Sequence, residues 1–177
     1  TEAFVLYALA DAEVGDLGRT VALFDQRQEL GQYGKAFLAM ALHLLEPDSP
    51  TRVNTLLSDL NNDAIKSATG VHWEEARQDY WTMSTDTRST AVVLDALVKI
   101  QPDSPLVANA VRWLMAVRQD GRWESTQETA WALMSLTDYM VASGELKGDY
   151  SYKVLLNGDA WADGTVDASN LDEQKVF

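Results

Sequence analysis

Hydrophobic residues follow two different helical patterns along this chain. In the first, apolar residues occupy nearly every face of the predicted helix, which is typical of a helix buried on all sides. The segments with this pattern are residues 3–10, 36–45, 91–100 and 129–141. We therefore predict four buried helices.

Amphipathic segments alternate with these buried ones. Their apolar residues return every three or four positions, which favours a helix at the surface. They comprise a weaker segment at residues 16–28 and clearer ones at 53–64 and 107–117. Repeated pairs of one buried and one surface helix indicate a double ring of helix hairpins. We predict a mainly α fold that forms part of an α/α toroid, with about four inner and three outer helices.

The connections between inner and outer helices repeat as well. Glu-Pro-Asp-Ser-Pro at 46–50 returns as Gln-Pro-Asp-Ser-Pro at 101–105. The first proline ends the apolar helix, the serine is a good N-cap, and the second proline suits the first helical position. We therefore predict that Ser49 and Ser104 cap the helices that follow them.

The predicted double ring of helices is incomplete with this number of helices. We therefore expect one side of the first helix to be exposed, including some of Phe4, Val5, Leu6 and Leu9.

Two regions are predicted to leave the helical pattern. Aromatic and β-branched residues at 70–84 predict a short inserted hairpin, and a briefer form follows at 120–124. After Ser143 the helical period ends, and alternation over 149–156 followed by Asn157-Gly158 predicts a β-hairpin. Residues 170–177 are a candidate further strand.

The composition excludes several classes of function. The 177 residues carry a net charge of −13 without a basic patch, which argues against nucleic-acid binding. There is no cysteine, so thiolate metal sites and cysteine nucleophiles are excluded within the chain. The longest apolar run, residues 36–45, is too short to span a bilayer, and we expect no membrane contact by this segment. The chain opens in mid-helix pattern without methionine, so we interpret it as a piece of a longer protein.

Acidic and aromatic residues near the connections raise the possibility of a glycan-active enzyme. Such an enzyme needs one carboxylic acid and one base or nucleophile at a set separation. The candidates are Glu74, Glu75, Asp79, Glu124 and Glu128, close in sequence to Trp73, Trp81, Trp123 and Trp131. We favour solvated turn residues and tryptophans that plug the end of the ring, and the enzyme remains the alternative, as does a protein-interaction module.

Other candidate side chains are better explained by structure than by chemistry. His43 could be a proton-transfer group near a reactive centre, but we expect it to be a hydrogen-bonded core histidine. We expect His72 to be exposed in a polar loop, and two separate histidines indicate no metal site. Ser125 or Thr126 should cap a helix whose first-turn amides are satisfied by nearby Gln127, Glu128 or Thr129. The toroid of triterpene cyclases would need an Asp-x-Asp-Asp motif, and prenyltransferases a zinc site, which this sequence lacks.

Several short motifs resemble the thioester domain of the alpha-2-macroglobulin and complement family. They are His-Trp-Glu-Glu at 72–75, Thr-Arg-Ser-Thr-Ala at 87–91, Val-Arg-Trp-Leu at 111–114 and Gly-Arg-Trp-Glu-Ser-Thr-Gln-Glu-Thr-Ala at 121–130. The resemblance extends over roughly residues 1–140, and the proline joints and Trp131 resemble bacterial members. It implies an α/α toroid at 1–145 and the start of a CUB-like β-sandwich at 146–177.

The resemblance also implies a function. Family members trap proteases through a thioester between the Cys and Gln of a Cys-x-Glu-Gln motif, which would lie upstream of the first helix here. No residue of this chain matches that motif, so no catalytic, cofactor-binding or metal residue is assigned. The resemblance implies a non-catalytic part of a bacterial endopeptidase inhibitor that is periplasmic, in the cell envelope or secreted. Its partners would be proteases, as targets of the whole protein, and neighbouring domains.

Overall fold

The computed structural model describes residues 1–76, 83–144, 148–167 and 169–170. These residues form two compact units, Thr1–Asp138 and Tyr139–Phe177. The helices are α1 (Glu2–Asp11), α2 (Leu17–Asp25), α3 (Gln32–Leu45), α4 (Thr51–Asn62), α5 (Asp86–Ile100), α6 (Pro105–Val117) and α7 (Thr126–Ser143). The strands are β1 (Ile65–Ser67), β2 (Gly70–His72), β3 (Tyr150–Leu156) and β4 (Asp159–Val166).

The helical unit is built from an inner and an outer layer. Inner helices α1, α3 and α5 lie side by side, while α2, α4 and α6 pack on their outer side. Residues 34–42 of α3 and 89–98 of α5 are all buried. The outer helices bury only one stripe each, such as Val53, Leu56 and Leu60 of α4. The predicted mainly α architecture, with alternating buried and amphipathic helices of a partial toroid, is confirmed.

The prediction that the four apolar helices are buried is wrong for α7, whereas α1 has the exposed side that was predicted for it. Val5 on α1 and Leu133 on α7 are 48% and 54% exposed, respectively. Phe4 and Leu9 are also exposed, as expected for the first helix, whereas Leu6 faces the core and is buried. The difference arises because α3 has inner neighbours on both sides within this unit, while α1 and α7 stand at its flanks.

The two proline joints form the same turn but cap their helices differently. The amide of Ser49 donates to the carbonyl of Glu46 at 3.0 Å, and that of Ser104 donates to Gln101 at 3.0 Å. Ser104 is the predicted N-cap, since its hydroxyl accepts from the Leu106 amide at 3.4 Å. The prediction for Ser49 is wrong because α4 begins later, at Thr51, with Pro50 in the cap position.

The first hairpin in the described part of the chain spans residues 65–72 and overlaps only the start of the predicted segment 70–84. Strand β1 begins three residues after α4 ends and pairs with β2, so Ile65 lies opposite His72. Gly70 has a φ of 133°, and a Cβ there would collide with the carbonyl oxygen of Asn109 on α6. This hairpin therefore packs closely on an outer helix. The predicted hairpin residues 77–82 lie outside the described part of the chain. The briefer hairpin is confirmed: a tight turn joins Gln119 and Arg122 through reciprocal backbone hydrogen bonds.

The second unit contains the predicted β-hairpin. Helix α7 ends at Ser143, and strands β3 and β4 pair in antiparallel fashion. Asn157 and Gly158 connect them with φ values of 52° and 94°, the left-handed pair that an Asn-Gly turn favours. Residues 171–177, most of the predicted further strand, lie outside the described residues. The assignment of 1–145 and 146–177 to two domains stays a prediction.

Candidate functional site

Two clefts lie at opposite ends of the inner helices. The aromatic cleft has a volume of about 300 Å³. It is lined by Thr1, Phe4, Tyr33, Phe37, Arg88, Gln127 and Trp131. The charged cleft has a volume of about 290 Å³. It is lined by Tyr7, Asp11, Met40, His43, Leu44, Lys99 and Ile100.

The aromatic cleft is built around the buried ring of Phe37 on α3. Its centroid lies 5.1 Å from that of Phe4 and 5.3 Å from that of Trp131, both in edge-to-face geometry. Tyr7 stacks on the same ring at 5.8 Å. Such contacts stabilise aromatic clusters beyond simple area burial. Helices α1, α3 and α7 thus join through one aromatic cluster.

A cation lies at the mouth of the aromatic cleft. The guanidinium of Arg88 lies 4.5 Å above the ring centroid of Tyr33, and its Nη1 donates to the Met83 carbonyl at 3.0 Å. The cation–π contact holds the long arginine side chain across the first turn of α3. The cleft therefore combines an apolar floor with a fixed positive group at its rim.

The charged cleft adjoins an ionic triad between α5 and α7. The Nζ atom of Lys99 donates to Asp95 on its own helix and to Oδ2 of Asp138 at 2.6 Å. Asp95 is only 2% exposed, and this burial raises the pKa of its carboxyl group to about 6. Burial opposes the charged form of Asp138 too, but hydrogen bonds from Lys99 and Asp95 outweigh it, so that its pKa lies below the usual value.

The most strongly bound candidate carboxylate, Glu75, holds the start of α3. Its two oxygens accept from the amides of Gln32 and Tyr33 at 3.2 and 3.1 Å. The Ser89 hydroxyl of α5 also donates to it at 2.6 Å. Glu75 therefore satisfies first-turn amides of one inner helix and ties that helix to the next. The interpretation of this residue as a solvated turn carboxylate is wrong.

Glu128 has a comparable structural role in α7. The Ser125 amide donates to its carboxylate at 2.9 Å, while the Glu128 amide donates to the Ser125 hydroxyl at 3.1 Å. This reciprocal pair is a capping box, as the predicted roles of both residues require. Glu128 is nevertheless buried, so it is not solvated, whereas Glu74 and Glu124 are exposed as predicted. Asp79 and Trp81 lie outside the described residues.

Two tryptophans connect outer helices to the inner helices that follow. Trp73 donates from Nε1 to the Leu60 carbonyl at 2.7 Å, and its amide donates to Thr90 of α5 at 3.0 Å. Trp123 donates from Nε1 to the Leu114 carbonyl at 3.0 Å. Both indole rings are buried. Each lies where a connecting segment enters the ring of helices. Trp131 lies apart from them, in the aromatic cleft.

Both histidine predictions are wrong. His43 is exposed and lines the charged cleft, because the last turn of α3 emerges from the core after Leu42. The His72 ring is largely covered: it stacks on Trp113 with centroids 4.7 Å apart, and its Nε2 lies 3.2 Å from a Glu74 oxygen. Within the described ranges, no three His, Cys, Asp or Glu side chains are grouped to hold a metal ion.

The ionic triad was missed at the sequence level. Asp95 and Lys99 lie in the apolar segment 91–100, and two opposite charges four residues apart in such a segment indicate a paired, buried site. The position of Asp138 opposite them follows only from the packing of α7.

Residues 18–139 match the family model described as the A-macroglobulin TED domain. The match covers more than half of the 177 residues and includes α2 except Leu17, all of α3 to α6 and most of α7. Helix α1 and the β-hairpin of the second unit lie outside it. Across the described part of the chain, no helix combines the length and apolar character needed to cross a membrane.

Proposed function

Because the chain belongs to the A-macroglobulin TED domain family, we propose that it scaffolds the thioester domain of a bacterial alpha-2-macroglobulin-like endopeptidase inhibitor. The family consists of protease inhibitors and complement proteins rather than enzymes. The match over residues 18–139 is the observation that carries the proposal. Family members are generally extracellular, and we propose that this one is secreted, periplasmic or in the cell envelope.

The proposed task of the chain is to position and shield a thioester that other residues supply. A thioester joins the Cys and Gln of a Cys-x-Glu-Gln motif, and this chain has no cysteine. The acyl group must be kept from water until a protease has been captured. Tightly packed inner helices and the aromatic cluster around Phe37 support this role, because they offer a rigid, apolar surface.

The remaining parts of the proposal concern partners. Proteases would be the targets of the whole protein, and neighbouring domains would contact this one. We assign residues 1–145 to the thioester domain and residues 146–177 to the start of a CUB-like sandwich. The β-hairpin at Tyr150–Leu156 and Asp159–Val166 supports the latter assignment.

Two of the candidate carboxylates argue against the alternative of a glycan-active enzyme. Glu75 and Glu128 accept hydrogen bonds from helix-start amides, so neither carboxylate is available to act as acid or nucleophile without weakening a helix. Glu74 and Glu124 remain as exposed carboxylates, and substitution of Glu124 serves as the test of that alternative.

Incubation of the complete protein with an endopeptidase tests the proposal. We expect a covalent adduct with the protease that withstands denaturation and is prevented by prior treatment with methylamine, which consumes a thioester. The 177-residue chain alone, which has no cysteine, is the control and should form no adduct. Failure of methylamine to change the mass of the complete protein would contradict a thioester. Glycan hydrolysis that Glu124→Gln abolishes would favour the enzyme instead.

A further inference from the structure

The turn between β3 and β4 places an asparagine directly before a glycine at the surface. Leu156 lies opposite Asp159, so Asn157 and Gly158 form the turn and lie beyond the last residue pair of the ladder. Both turn residues are exposed, and their φ values of 52° and 94° lie in the left-handed region. The amide nitrogen of Gly158 therefore takes no part in the pairing of the two strands.

An asparagine in this position can react with the main chain that follows it. The Gly158 nitrogen, after hydroxide has removed its proton, attacks Cγ of the Asn157 side chain. A C–N bond forms, the bond between Cγ and the side-chain nitrogen breaks, and that nitrogen leaves as ammonia with a proton from water. The resulting cyclic succinimide is opened by one water molecule at either carbonyl, which gives aspartate or isoaspartate. The reaction requires only water and hydroxide.

The surroundings of Gly158 favour this attack. Glycine has no Cβ to obstruct the approach of its nitrogen to Cγ of Asn157. A Cβ added to Gly158 would meet no atom within 4 Å, so the turn has room to rotate. Among the described strands, β3 and β4 pair only with each other, and a single two-stranded hairpin is marginally stable in water. Transient opening of the hairpin therefore supplies the reactive conformation.

The other asparagines of the chain are in less reactive surroundings. Four of them lie in helices, where the amide of the next residue belongs to the helical backbone: Asn54, Asn61 and Asn62 in α4 and Asn109 in α6. Asn170 precedes a leucine, whose branched side chain obstructs attack by its nitrogen. The combination of an asparagine, a following glycine and a turn outside the ladder therefore distinguishes residue 157.

Two Asp-Gly sequences provide a second comparison within the chain. Gly121 follows Asp120 in the tight turn after α6, and Gly164 follows Asp163 inside β4, where it is paired with β3. Aspartate can form the same cyclic intermediate, but an ionised carboxylate repels the attacking nitrogen anion and has a poorer leaving group than an amide. Both aspartates should therefore change more slowly than Asn157.

We propose that Asn157 is a site of spontaneous modification, at which conversion to isoaspartate lengthens the turn and loosens the β3–β4 hairpin. In isoaspartate the main chain runs through the side-chain carbons, so that the turn gains one methylene group. The longer turn no longer matches the pairing of Leu156 with Asp159. The aspartate product keeps the normal main chain, suits the same turn and adds one negative charge. Loosening of the hairpin therefore belongs to the isoaspartate product.

Peptide mapping by mass spectrometry tests the site. The 177-residue chain is kept in mildly alkaline buffer and sampled over several weeks. We expect Asn157 to change before every other asparagine, with isoaspartate, detected through its enzymatic methylation, as the larger product. An Asn157 that stays intact while a free peptide of residues 150–166 is converted would overturn the proposal. Formation of aspartate without isoaspartate would also overturn it, because direct hydrolysis does not involve the Gly158 nitrogen.

Two variants separate the reaction from its effect on the hairpin. Asn157→Gln would have to form a larger ring and should lose the modification over the same period. Asn157→Asp has the charge of the products with a normal main chain. Amide hydrogen exchange of residues 150–156 should be several-fold faster in the purified isoaspartate form than in Asn157→Asp, while residues 91–98 of α5 exchange equally. Equal exchange of residues 150–156 in the two forms would contradict the loosening of the hairpin.

Discussion

The inner helices form two pairs that look alike in sequence and differ in their surroundings. Helices α3 and α5 bury almost every residue of their central turns, whereas α1 and α7 leave apolar side chains such as Val5 and Leu133 in contact with solvent. All four come from segments that are apolar on nearly every face. The comparison shows that an apolar segment indicates which faces of a helix need packing neighbours. The segment alone does not show whether those neighbours belong to the same chain.

The largest expected effect comes from the same substitution in one helix of each pair. Leu94→Ala in α5 removes a fully buried side chain and should lower the free energy of unfolding by about 3 kcal/mol. Leu133→Ala in α7 should change it by less than about 0.5 kcal/mol, since that side chain is exposed. Urea denaturation of both variants measures the difference. Equal losses would show that α7 packs as tightly as α5.

Substitutions of Glu75, which binds the start of α3, and of the adjacent Glu74 should show a smaller difference in the free energy of unfolding. Glu75→Ala leaves two α3 amides and the Ser89 hydroxyl without their acceptor and should cost about 2 kcal/mol. Its neighbour Glu74 is exposed, so Glu74→Ala is the matched control and should be nearly neutral. Thermal and urea unfolding provide the measurement. A neutral Glu75→Ala variant would show that water replaces the carboxylate without loss.

At the flank, loss of the capping box should have a weaker and more local effect. Glu128→Ala removes the acceptor for the Ser125 amide and should cost about 1 kcal/mol. Faster amide exchange should be confined to the first turns of α7, while α5 stays unchanged. Glu124→Ala is the control at an exposed position close by. Faster exchange throughout α5 would mean that the two pairs of helices unfold together.

Substitution of exposed apolar residues on α1 and α7 should have the smallest effect on stability. It should have a separate effect on self-association. Apolar surface on α1 and α7 favours self-association of the 177-residue chain, although the net charge of −13 opposes it at low salt. Val5→Ser and Leu133→Ser should each weaken association at raised salt and leave stability within about 0.5 kcal/mol. Light scattering after size-exclusion chromatography tests this. A chain that stays monomeric at high salt and high concentration would contradict the prediction.

The sequence predicted local features of the fold better than the tertiary contacts of those features. Apolar periodicity placed seven helices, and Asn157-Gly158 placed the turn between β3 and β4, because both signals act over a few residues. Ser104 and Pro105 marked a helix start, but the similar joint at Ser49 did not behave in the same way. Small differences at a cap therefore depend on contacts that the motif alone does not contain.

Most features of the clefts depend on tertiary packing. His43 was predicted inside the core because its segment is apolar, yet His43 and Leu44 in the last turn of α3 are exposed and line the charged cleft. His72 was predicted in solvent because its own segment is polar, yet Trp113 of another helix covers it. Asp138 meets Lys99 across 39 residues of sequence, a pairing that no local pattern encodes.

Hydrogen exchange of the chain alone and within the complete protein tests the central claim most directly. If this chain is part of a larger ring in a thioester domain, other helices should cover its flanks. We predict that the amides of α1 and of residues 126–138 in α7 become more protected in the complete protein, while those of α3 and α5 stay the same. Equal protection of the flank helices in the two samples would contradict the account.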